Sequence, residues 1–138
     1  MEKQVGPRIP FVIEEGAVRQ FALAAQMKDA WNYGPGSVIP PTFLMSAAMW
    51  FPPGSRVSSG FDRARLLHGG QEFVFGGDPP RVGDRLTAQD RLADRFEKTG
   101  TTGGRMRFAV VVTEFRRAES EEIIAESRAT YIEREART

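Results

Sequence analysis

The chain has one histidine, His68, and no cysteine, and these two counts bound its chemistry. Without cysteine there is no disulfide, no thiolate zinc site and no thiol nucleophile. With one histidine, a His-rich metal centre cannot form within one chain, and no metal is expected. Imidazole acid–base chemistry must use His68 or a histidine from another subunit. Gly69 and Gly70 follow it, and glycines within a strand mark close approach of another backbone or a ligand. His68 therefore reads either as a working acid–base or binding group or as a hydrogen-bonded histidine at a sheet or subunit edge. Arg63, Arg65, Arg81 and Arg85 have the chemistry to meet the phosphates of a small acidic ligand, or are ordinary surface arginines. The run Gly100-Thr101-Thr102-Gly103-Gly104 lacks a following Lys-Ser/Thr, so it reads as a hairpin turn rather than a phosphate loop.

These groups must be positioned by a chain of 138 residues, the size of one ordinary domain with one core, and residues 1–138 read as a single unit. The 19 basic and 18 acidic side chains are mixed along the chain and leave a net charge of +1, which does not suggest a nucleic-acid footprint. No apolar run approaches the roughly 18 residues of a membrane helix. Met1-Glu2-Lys3-Gln4 leads into Gly and Pro with no apolar segment behind it. A secretory leader is not expected, and cytoplasmic residence is the default reading. Nothing in the sequence points to a cofactor.

The first half reads as helical and the second as strands. Residues 8–13 alternate as a short extended segment, with Pro10 suited to an edge. Residues 16–28 carry an apolar stripe at helical spacing. Residues 29–41 are a loop rich in Gly, Pro and Asn. Pro40-Pro41-Thr42 opens a helix over 42–51, with Thr42 a possible N-cap; Ser46 is the only polar residue after it. A helix apolar all round belongs inside a protein. From residue 66 onward, alternation predicts strands over 66–75, 85–97, 105–116 and 123–131. Asp90 and Asp94 interrupt the second of these. Helices followed by an antiparallel run of strands argue for an α+β domain, and a sheet wrapped round a buried apolar helix is the hot-dog arrangement.

Three segments carry a resemblance. Val38-Ile39-Pro40-Pro41-Thr42-Phe43 resembles the "APPTF" entrance to the central helix of MaoC-like dehydratase N-terminal domains. His68-Gly69-Gly70-Gln71-Glu72-Phe73 is similar to that family's "HGEQEF" strand, and Pro80-Arg81-Val82-Gly83-Asp84-Arg85-Leu86 to its "P-x-x-x-GD-x-L" turn. Order and spacing hold over roughly residues 8–133. The resemblance implies a single hot-dog fold. It also implies action on (R)-3-hydroxyacyl or trans-2-enoyl thioesters of coenzyme A or acyl carrier protein, a hydro-lyase chemistry. The family's D-x-N-P-x-H pattern supplies an Asp/His acid–base pair. Here the matching residues are Asp29-Ala30-Trp31-Asn32-Tyr33-Gly34: the Asp is kept as Asp29, the Asn is displaced to Asn32, and the His position falls on Gly34.

The resemblance thus implies a fold and a thioester-binding groove without an intact catalytic pair. Asp29 reads either as a residual general base or as a solvated loop aspartate. Asn32, Tyr33, Thr42, Phe43, Met45, His68, Gly69 and Gly70 are the expected substrate-binding residues. The helix-entrance amides at Thr42 and Phe43 are candidates to hold the thioester oxygen. Met45, Met49, Trp50 and Phe51 read either as acyl-tunnel lining or as plain core. The expected function is the substrate-holding subunit of an (R)-specific enoyl-thioester hydratase or dehydratase, inactive or weakly active alone. Its partners are an acyl thioester and a homologous hot-dog subunit, in a homodimer or beside a catalytic partner, with neither nucleic acid nor membrane. The alternatives are an acyl-binding or scaffolding module, a self-sufficient enzyme using Asp29 or His68, and an acyl-CoA thioesterase. Against the last, residues 42–51 contain no Asp or Glu.

Overall fold

The structure, a computed structural model, describes residues 4–136. Five strands form one antiparallel sheet: β1 (Val5–Val12), β2 (Leu66–Phe75), β3 (Arg85–Thr99), β4 (Arg105–Arg117) and β5 (Ile123–Arg134). Their spatial order is β1-β3-β4-β5-β2, which leaves β1 and β2 at the two edges. The glycine-rich run closes the β3–β4 hairpin as expected, with Gly100 N donating to Gly104 O at 2.7 Å. One helix, α1 (Glu15–Ala24), precedes the sheet's main run. It stops short of residue 28 because Gln26 takes φ 58°. Met27 N then donates to Ala22 O and Gln26 N to Leu23 O, the paired bonds of a left-handed helix terminus.

The inner face of the sheet is apolar at one end and polar at the other. Rows across the strands follow from register. Leu86, Ala88, Phe115 and Ala125 form the apolar end and belong to the main core. The next row is Asp90, Thr113, Ser127 and Phe73, then Leu92, Val111, Ala129 and Gln71, then Arg95, Ala109, Tyr131 and His68. Asp90 does not interrupt its strand; it occupies an inner-face position and is 0% exposed.

The segment expected as an α-helix over 42–51 is a 3-10 helix, Phe43–Trp50. Phe43 N donates to Pro40 O and Met45 N to Thr42 O, both bonds of the tighter three-residue turn. Prolines at 40, 41, 52 and 53 bound it on both sides. The helix is not enclosed as its composition predicts. Phe43, Leu44 and Ala47 are buried, whereas Met49 is 84% and Trp50 54% exposed. Phe43 ties it down: its ring lies 6.3 Å from Phe11 and edge-on to Phe21 at 5.6 Å, while Phe11 meets Phe115 at 5.7 Å. This aromatic column joins β1, β4, α1 and the central helix through one core.

Residues 51–65 run from the helix back across the polar end of the inner face. Charge fastens them. Arg56 reaches Asp90, and Arg95 donates to Ser59 O. Phe61 is held between the guanidinium groups of Arg95 and Arg107 at 5.4 and 5.1 Å. Glu133, buried on β5, accepts from Asp62 N at 2.5 Å and from Arg107, with Arg65 at 3.8 Å. The Asp62 amide, then Arg107 and Arg65, hold the Glu133 carboxyl below the ordinary glutamate value against the opposing effect of burial. A lowered native-state pKa stabilises above the unfolded value, and that contribution disappears as pH falls through the native one. The wild-type chain should therefore lose stability more steeply than Glu133→Gln as pH drops below about 4.5. Urea midpoints measured across that range check this; parallel curves would count against the role given to Glu133.

Candidate functional site

Between the central helix and the polar end of the inner face lies a cavity of about 40 Å3. Leu44, Met45, Ala47 and Ala48 form its roof, Val111 and Ala129 its apolar floor, and Arg56, Gln71, Thr113, Ser127 and Tyr131 its polar wall. A volume of this size holds a few non-hydrogen atoms and not an acyl chain.

Two hydrogen-bonded sets build the polar wall. In the first, Arg56 Nε donates to Asp90 Oδ2 at 2.9 Å and Nη2 to Oδ1 at 3.2 Å, and Thr113 Oγ1 donates to Oδ1 at 2.6 Å. A buried carboxylate is tolerable because a two-pronged guanidinium and a hydroxyl satisfy it. Burial pulls the Arg56 pKa down, but the Asp90 hydrogen bond and charge outweigh it and leave the guanidinium above its ordinary value. In the second set, His68 Nε2 lies 3.0 Å from Gly70 O and 3.1 Å from Gln71 Oε1. Both partners are acceptors, so Nε2 carries the proton. Gln71 Nε2 in turn donates to Ser127 Oγ at 2.6 Å. Ser127 already accepts from Gln71, which leaves its hydroxyl proton available to the cavity.

The expected site residues are distributed over three places. Met45 lines the cavity, and His68 joins its wall through Gln71 and through Tyr131, whose ring centre is 5.3 Å away. Strict alternation along residues 66–75 would put His68 on the face opposite Gln71. A β-bulge between His68 and Gly70 shifts the phase by one and brings the two to the same side. Gly69 has a close neighbour within the chain: a Cβ there would come within 2.4 Å of Ile132 Cδ1. At Gly70 a Cβ would meet Thr130 at ordinary distance.

The second place is the loop after α1. Asp29 leads into a short 3-10 turn, Ala30–Asn32, and both Asp29 and Asn32 are exposed. Tyr33 is half-buried; burial, then the Asp29 charge, raises its pKa. Its carbonyl accepts from Arg19, whose guanidinium also lies over the Trp31 ring at 5.2 Å. Nothing lies within 4 Å of a Cβ built on Gly34, so this loop has room for a side chain and carries none. The third place is the helix entrance. Thr42 makes no side-chain cap, and the Phe43 amide is already engaged by Pro40 O, so it is not free to hold a thioester oxygen. Arg65 and Arg81 are engaged as well, Arg65 by Asp62 and the Arg134 carbonyl, Arg81 by the Gly36 carbonyl.

Sequence reasoning missed Arg56, Gln71, Asp90, Thr113, Ser127 and Tyr131 as a group. The signal available was Asp90, a charged residue in phase with Leu86 and Ala88 on the buried face of a strand. Among the described residues, no group of three or more His, Asp or Glu is arranged to hold a metal ion, and no helix is long and apolar enough to cross a membrane.

An antiparallel sheet folded over a short central helix, with the cavity between them, is the hot-dog fold of the dehydratase class. Residues 4–126 match the family described as FAS1-like, dehydratase domain region, and the chain belongs to that family. The same fold is found in the C-terminally truncated HadBC (3R-hydroxyacyl-ACP dehydratase) complex from Mycobacterium tuberculosis. That match has 19% identity, covers 95% of this chain and 96% of that one, and has a TM-score of 0.65. The ChsH1-ChsH2 complex from the same organism matches at 14% identity over 99% and 85% of the chains, with a TM-score of 0.63. A MaoC-like dehydratase from Rhodospirillum rubrum matches at 13% identity over 99% and 93%, with a TM-score of 0.57. No protein of curated function matches the sequence.

Proposed function

We propose that this chain is the substrate-holding subunit of an (R)-specific enoyl-thioester hydratase or 3-hydroxyacyl-thioester dehydratase, working beside a homologous hot-dog subunit that supplies the Asp/His pair. The observation that carries this reading is the loop 29–34: an exposed Asp29, and at Gly34, where the family pattern has its histidine, no side chain at all. A lone exposed carboxylate is a poor case for this catalysis, because the family's chemistry uses two titratable groups with different protonation roles. Two further features favour a partner of the same fold. β2 is an edge strand of ten residues, and an uncovered edge of that length is a template for strand pairing. The central helix leaves Met49 and Trp50 in water, an arrangement suited to a covering surface. HadBC and ChsH1-ChsH2 are themselves complexes. The carrier is coenzyme A or acyl carrier protein.

The test is hydration of a short trans-2-enoyl-CoA, followed by loss of enoyl-thioester absorbance. The purified chain should give no turnover alone. Mixed with a homologous hot-dog subunit carrying the intact pair, it should give turnover that neither component shows by itself. Turnover by the single chain, abolished in Asp29→Ala or His68→Ala, would replace this reading with that of a self-sufficient enzyme.

A further inference from the structure

The cavity's polar groups are not balanced between donors and acceptors. Arg56 uses Nε and Nη2 on Asp90 and leaves Nη1 without a partner among the described residues. The Thr113 hydroxyl is directed to Asp90, and both ends of the Gln71 amide are engaged. What remains unengaged on the lining residues is the Ser127 hydroxyl proton, the Tyr131 hydroxyl and Nη1 of Arg56, whose side chain is 40% exposed. All three are donors or can act as donors. The His68–Gln71–Ser127 chain enforces this polarity, because each link donates forward and leaves the last proton pointing onward.

We propose that this cavity binds a neutral acceptor oxygen carried by the acyl group of the thioester, a keto oxygen beyond the thioester carbonyl. The proposal rests on the reading of the chain as a thioester-holding subunit and names the acyl class it selects. Charge decides against a carboxylate. The Arg56 cation is already matched by Asp90, so a second buried anion would face that carboxylate without a cation of its own. A plain hydrocarbon is disfavoured by the opposite argument, since it would cover three donors and satisfy none. The roof and floor of Leu44, Met45, Ala47, Ala48, Val111 and Ala129 suit the carbon stem on either side of a keto group. The volume fits such a group and little more.

The experiment is calorimetric binding of matched thioesters to the full chain, repeated with a homologous hot-dog subunit present. The pairs are pentanoyl-CoA against 4-oxopentanoyl-CoA and hexanoyl-CoA against 5-oxohexanoyl-CoA, with succinyl-CoA as the charged control. At least one oxo-acyl compound should bind about tenfold more tightly than its plain partner. Tyr131→Phe and Ser127→Ala should each reduce that preference severalfold, because each removes a donor that the oxo group engages and the plain chain leaves unsatisfied. Two variants are used so that one poorly folded protein, recognised by circular dichroism, does not decide the outcome. Equal affinity within both pairs overturns this inference and leaves the thioester-holding reading standing. Succinyl-CoA binding as tightly as the oxo compounds overturns the choice of a neutral oxygen. Failure of every thioester to bind, with and without the second subunit, removes the reading and the inference together.

Discussion

Arg56→Ala should destabilise the domain by about 2 kcal/mol, less than the roughly 3–5 kcal/mol of a fully buried ion pair, because the Arg56 side chain is 40% exposed while Asp90 is enclosed. The charge left behind is Asp90, fully enclosed on β3, with the Thr113 hydroxyl its one remaining side-chain partner among the described residues. A second loss comes from packing, because the Arg56 guanidinium lies 4.9 Å from the Phe51 ring and lines the cavity. Arg56→Lys should fall between, since an ammonium keeps the charge but cannot reproduce the two-pronged contact. Urea denaturation of the three proteins measures this directly. A loss below about 1 kcal/mol in Arg56→Ala would mean that water reaches Asp90 once the arginine is gone, and that the cavity wall is looser than its hydrogen bonds imply.

Phe43→Ala should cost about 3–4 kcal/mol, in the range for truncating a buried aromatic residue. Against a total stability of roughly 5–15 kcal/mol for a domain this size, that is a large share. The ring is the point at which the central helix is held to β1 and α1, and its removal separates Phe11 from Phe21. A 3-10 helix has poorer hydrogen-bond geometry than an α-helix, so tertiary packing must hold it in place. Phe43→Leu should recover about half the loss by refilling volume without the ring contacts. Thermal melts of the two variants compare them on one scale. If Phe43→Ala melted within a few degrees of the wild type, the helix would have to be anchored by Leu44 and Ala47 alone.

Much of the architecture was legible because its signals are local. Alternation of apolar residues located β2, β4 and β5 to within a few residues. The glycine-rich run located the β3–β4 turn, and prolines on both sides bounded the central helix. The type of that helix was not legible. An apolar octet gives the same composition to an α-helix and to a 3-10 helix, and only the bonds from Phe43 to Pro40 and from Met45 to Thr42 separate them. Nor was its exposure: composition records that Met49 and Trp50 are apolar, not whether this chain has anything to cover them with.

For the site the division is sharper. The sequence by itself determined which chemistry the chain lacks: no thiol, one imidazole, and no side chain at position 34 beside Asp29. Residue identity is a property of the chain and needs no fold to establish it. Which polar groups meet was decided only by the tertiary structure. Arg56, Asp90 and Thr113 come from three separate segments, and strand register alone sets Thr113 between Asp90 and Ser127. A single-residue bulge turned His68 from the far side of the sheet to the side of Gln71, which no count of alternating residues could anticipate. Hydrogen bonds act over about 3 Å in space and carry no signature along the chain, so the cavity and its unbalanced donors exist only once the sheet has formed.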